Sequence, residues 1–74
     1  MVHRHFEDQI SELKARLVQM GTTSEAMIDQ AVKSLLERDV KRLPEIFESE
    51  RRVNELHIEV DERTIQVLAL QHPV

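Results

Sequence analysis

Residues 50–74 read E-R-R-V-N-E-L-H-I-E-V-D-E-R-T-I-Q-V-L-A-L-Q-H-P-V, and this stretch decides the fold. Val53, Leu56, Val60, Val67 and Leu70 recur at steps of three and four, with Thr64 filling the one gap. That spacing puts them on one face of an α-helix. Nothing interrupts the run before Pro73, which forbids continuation and pushes His72 out of helical geometry. A long helix with a single apolar face is not stable alone in water. It needs a partner, and the first half of the chain has the pattern to supply one.

Phe6, Ile10, Leu13, Leu17, Met20, Met27 and Ala31 form a second stripe, again stepping by four and three, with Ser24 at the polar step. Val18, Ile28, Leu35 and Leu36 widen it, as suits a bundle better than a two-stranded coiled coil. Around Gly21-Thr22-Thr23-Ser24-Glu25 the local signals point to a break, because Gly21 is a good C-terminal residue and Thr22 a good cap. Against a break, the apolar phase passes through Gly21 unchanged, and one mid-helix glycine costs only about 1 kcal/mol relative to alanine. A continuous first helix is the expectation. Asp39 is positioned to cap the second helix, and Pro44 falls either in its second turn or at its first position. The connection is short, which makes antiparallel neighbours. We expect an all-α chain forming one unit over residues 1–74, with helix one at about 4–38 and helix two at about 41–71.

Composition agrees. The chain has 74 residues, one glycine, two prolines and no cysteine, so strands, turns and disulfides are poorly supplied. Ten basic residues against fourteen acidic ones, for a net charge of -4, argue against a polyanionic partner. The two phenylalanines are the only aromatic residues, too few for stacking on bases. No apolar run spans a membrane and the N-terminus has no secretory core, so no nucleic acid, no membrane insertion and a cytoplasmic location are expected.

Few residues offer chemistry. Glu50 and Asn54 lie one turn apart on the second helix and present two oxygen donors to the same side. A solvated helix face accounts for the same pattern. His57 and Asp61 have the spacing of a surface ion pair. His3 and His5 diverge on a helix and share a metal only in an extended terminus. Met20 and Met27 are core fillers. The serines lack a paired base, and with one glycine there is no phosphate loop. The Glu-x-x-His motif of carboxylate-bridged metal enzymes is missing, since Glu55-x-His57 has the wrong spacing. No enzyme is expected.

The ordered marks resemble the first two helices of the PhoU family, regulators of phosphate uptake. They are His5-Phe6 ahead of the first stripe, Leu17-x-x-Met20-Gly21, Glu25, Ala31, Leu35-Leu36-x-x-Asp39, Glu50-x-x-Val53-Asn54, Val60 and Leu68-Ala69-Leu70-Gln71-His72-Pro73-Val74. The resemblance implies part of a three-helix bundle, normally one of two in tandem. It implies a non-catalytic regulator whose partners are the ATPase of a phosphate ABC transporter and a sensor histidine kinase. Family members hold iron or zinc on paired Glu/Asp-x-x-x-Asp motifs, and Glu50 and Asn54 fall on one such motif. Asn54 replaces a carboxylate there, and Pro44 stands where the family continues the helix. No cofactor is expected for this chain by itself. The chain has the look of a truncated family member, its missing third helix leaving apolar edges open. We therefore expect a homodimer, a four-helix arrangement with the Leu56/Val60 region buried against the second copy. The competing expectation is a purely structural, self-associating hairpin with no phosphate role.

Overall fold

The computed structural model describes residues 2–71, and side chains over residues 5–70. Two helices run antiparallel: α1 at Val2–Glu37 and α2 at Leu43–Gln71, joined through a 3-10 turn at Val40–Arg42. The described residues contain no strand. The rod they form measures 54 × 17 × 13 Å, and its length is what the 36 residues of α1 span at about 1.5 Å each. The stop at His72-Pro73 lies outside the described residues.

Continuity through Gly21 is explained by where the nearby hydroxyl goes. Thr22 does not cap; its Oγ1 donates to the Val18 carbonyl at 2.9 Å, inside the helix. Thr64 does the same in α2, donating to the Val60 carbonyl at 2.7 Å. That bond hides the one polar residue in the apolar stripe of α2.

The connection is built from two caps in series. Arg38 takes the left-handed conformation, φ 52, and the Asp39 N–H reaches back to the Ser34 carbonyl at 3.0 Å. This is a Schellman closure of α1, with arginine where glycine is usual. The Asp39 carboxylate then accepts from the Lys41 N–H at 2.9 Å and caps the 3-10 turn. Regular α-helix starts only at Leu43, later than the sequence suggested, because Asp39 serves the intervening turn. Pro44 thus falls within the first turn of α2, where its missing N–H is not needed. Glu45 in the same turn suits the positive end of the helix dipole.

The two stripes meet along the rod. Phe6, Ile10, Leu13, Met20 and Met27 of α1 are half-buried opposite Ile46, Val53 and Val60 of α2. Leu56 is fully buried and Val67 nearly so. This overturns one expectation: Leu56 and Val60 belong to the seam within one chain, so they are not the face offered to a second copy. Leu70, expected on the stripe, lies at the rod's edge and is partly exposed.

Candidate functional site

The two sides of the seam differ in chemistry. On one side, α1 presents Gln9, Arg16, Thr23 and Gln30, one heptad apart and all half-buried. Arg16 Nε stands 3.5 Å from Glu59 Oε2 of α2, the ion pair that ties the helices together on this side. Both atoms are shielded from solvent without a well-aligned hydrogen bond, so attraction between charges holds them. The pair also fixes the levels along the rod, with residue 16 opposite residue 59.

The other side is apolar and uncovered. On α1, Val18, Ile28, Val32 and Leu35 lie clockwise of the buried stripe when viewed from the N-terminus. On α2, Leu43, Phe47, Ile65 and Leu68 are displaced in the same sense. Because α2 runs the opposite way, both flanks turn to the same side of the rod. Exposure follows: Leu35 is 78%, Ile65 68% and Phe47 61% accessible. At the turn the flanks converge on a cleft of about 470 Å³ lined by Ala31, Leu35, Val40, Leu43 and Ile46 together with the polar Ser34, Arg38 and Asp39.

Sequence reasoning placed Val18, Ile28, Ile58 and Ile65 off the seam, and all four are exposed. It missed Val32, Leu43, Phe47 and Leu68. The signal was present in the phase of these residues, but it becomes legible only once the handedness of the hairpin is known.

Glu50 and Asn54 lie midway along this open side, and both are exposed. Among the described residues, no group of three or more His, Asp or Glu side chains stands close enough to share a metal ion. One carboxylate and one neutral amide are two donors of the four to eight that zinc, iron or calcium sites use. A metal therefore does not fit on this chain's described residues unless another helix adds donors. His57 Nδ1 lies 3.9 Å from Asp61 Oδ2, the surface pair expected from their spacing. The side chain of His3 and all of His72 lie outside the described residues.

Elsewhere on the surface of α2, Arg51 bridges Glu48 and Glu55, and Arg52 adds a contact to Glu55 at 3.2 Å. The hydrogen bonds and positive charge of Arg51 hold the Glu48 carboxyl below its ordinary range. Glu48 in turn holds the Arg51 guanidinium above its own. These are solvated helix-face pairs at helical spacing.

A helical hairpin with one polar side and one open apolar side defines a class: all-α proteins built from amphipathic helices. The chain belongs to the PhoU family, whose domain model matches residues 17–74. It is similar to proteins named phosphate-specific transport system accessory protein PhoU homolog. The Pseudomonas putida protein is 25% identical over 72 residues, covering 97% of this chain and 28% of that protein. The Thermotoga maritima homolog 2 is 26% identical over 73 residues, covering 99% and 31%. The Mycobacterium tuberculosis homolog 1 is 28% identical over 69 residues, covering 93% and 31%. The chain thus spans about a third or less of the length of these relatives. No solved structure matches it. No described helix is long and apolar enough to cross a membrane.

Proposed function

We propose that the chain is part of a non-catalytic accessory protein of phosphate uptake. It acts in the cytoplasm as an adaptor between the ATPase of a phosphate ABC transporter and a sensor histidine kinase, and so bears on phosphate-responsive transcription. The family match and the names of the relatives support the phosphate role. The observation that carries the mode of action is the open apolar side, which offers contact area and no reaction chemistry. Adaptor contacts of this kind are made by laying an amphipathic helix into an apolar groove. Self-association is part of the same proposal, because a hairpin this thin leaves too much apolar surface uncovered.

Binding of the purified chain to the purified ATPase subunit of a phosphate transporter tests the adaptor role. Association is expected to weaken at least tenfold in Phe47→Asp, whose side chain lies outside the seam. No association with that subunit at about 100 μM, a concentration at which even weak specific contacts populate, would leave the structural hairpin as the better reading. The uncovered area favours that second reading equally, and it differs only in lacking a phosphate-linked partner.

Glu50 and Asn54 are proposed as metal donors only where a helix of another protein segment brings further carboxylates to the open side. The chain by itself is expected to purify without stoichiometric iron or zinc. Elemental analysis that finds either metal, and loses it in Glu50→Ala, would show instead that these two residues anchor a complete site.

A further inference from the structure

We infer that the Arg16–Glu59 pair is a rotational lock, which holds the polar line of α1 against α2 and so keeps the apolar line beside it turned outward. The use of such a lock rests on the contact role proposed above. Its geometry does not.

Two lines of side chains on α1 compete for the seam. Gln9, Arg16, Thr23 and Gln30 repeat every seven residues and are half-buried. Leu17, Ile28 and Leu35 form an apolar line next to them, and all three are exposed. With 3.6 residues per turn, a roll of α1 by about 60° would exchange the two lines. Burial of apolar surface favours that roll, since it would cover leucine and isoleucine and return an arginine and two glutamines to water. The structure has the opposite setting. Gln9 Oε1, Arg16 Nε and Gln30 Oε1 are all shielded from solvent with no hydrogen-bond partner. Unmet polar groups oppose burial, so they do not explain why α1 stays as it is.

One polar contact crosses between the helices and supplies the restraint. The side-chain hydrogen bonds of the described residues stay within one helix or at the turn. Among the described residues, Arg16–Glu59 is the one ion pair that joins α1 to α2, at 3.5 Å. The other charges on this flank do not replace it. Glu12 lies 3.9 Å from the Arg16 guanidinium but belongs to α1 itself. Arg52 is held by Glu55 of its own helix at 3.2 Å. Glu45 is exposed near the turn, and Arg63 has the same sign as Arg16.

Removal of one member would leave the other charge shielded and without its counterpart. For Arg16 the route to water is the roll of α1. Helix α2 has no equivalent roll, because Glu50, Asn54, His57 and Asp61 occupy the middle of its own open flank and are exposed.

The chain has no cysteine, so single thiols report the setting of α1. Thr23→Cys marks the polar line and Ile28→Cys the open side, and each is modified with a maleimide. Glu59→Gln removes the charge and keeps the shape. It is expected to speed modification at residue 23 and slow it at residue 28, changing the ratio of the two rates at least about threefold, the scale of a partly solvated pair. Arg16→Lys is expected to keep the wild-type ratio, because charge attraction and not an aligned hydrogen bond holds the pair. Should Glu59→Gln lose its helical circular dichroism, Arg16→Gln decides by the same criterion. A ratio that changes less than threefold, or two rates that rise together in a chain that keeps its helical signal, would overturn the lock. So would an equal change in Arg16→Lys. Loss of binding to the transporter ATPase with the ratio change intact would overturn the contact role and leave the lock standing.

Discussion

Arg38 carries the clearest local strain in the chain. Its φ of 52 is the left-handed conformation that a Schellman closure demands, and a side chain pays for it where glycine would not. Arg38→Gly is therefore expected to stabilise the hairpin by about 1 kcal/mol, the usual cost of a left-handed non-glycine residue, seen as a higher urea midpoint with an unchanged slope. Glu48 shows the opposite kind of local effect. Its pKa is lowered in the folded chain by Arg51, so the pair's contribution is fully present above the ordinary carboxylate range and is lost as pH falls through the lowered folded value. Arg51→Ala is expected to return the Glu48 titration, followed by carboxyl NMR shifts, to its ordinary range. The effect on stability should be small, since both groups are fully solvated.

At the scale of the element, α1 is the instructive case. Local signals at Gly21-Thr22 argued for two helices, and the apolar phase argued for one. The phase prevailed because the seam collects contributions along the whole rod, while a cap satisfies only one terminus. Substitution separates the two readings. In a continuous helix Gly21→Ala is expected to raise stability by up to about 1 kcal/mol and Gly21→Pro to lower it by about 3 kcal/mol. Were Gly21 a helix end, alanine would cost stability and a proline beyond it would be tolerated. The all-α hairpin and its connection near Asp39 were legible from period and caps. The 3-10 turn was not, because Asp39 caps it with the same geometry that would cap a helix. The open side was half legible. Val18, Ile28, Ile58 and Ile65 are visibly off the seam in sequence, whereas Phe47 and Leu43 sit among charges and beside Pro44, which mask their phase. Glu50 and Asn54 were legible as a same-face pair, but a pattern of two cannot reveal whether further donors are near.

Over the whole molecule, a two-helix rod encloses very little. Only Leu56 and Val67 count as buried among the described residues. Leu56→Ala removes the one side chain with 0% exposure, and a cost of about 2–5 kcal/mol would consume most of what a domain this small has. Loss of cooperative thermal unfolding is the expected result at concentrations where the wild type still melts sharply. For the same reason, wild-type melting temperature should rise with protein concentration, as mass action requires of a chain stabilised by a partner. A melting temperature that is flat from 1 to about 100 μM would contradict an association-dependent fold.

The position of Leu56 has one more consequence. It lies near the middle of the rod, while both extremities hold partly wetted side chains. Amide protons should therefore exchange with solvent deuterium most slowly close to Leu56 and progressively faster toward each tip, giving a gradient in place of one common rate. A rod fastened at its waist frays from its tips, and whatever grips a tip draws tight the loosest turns first.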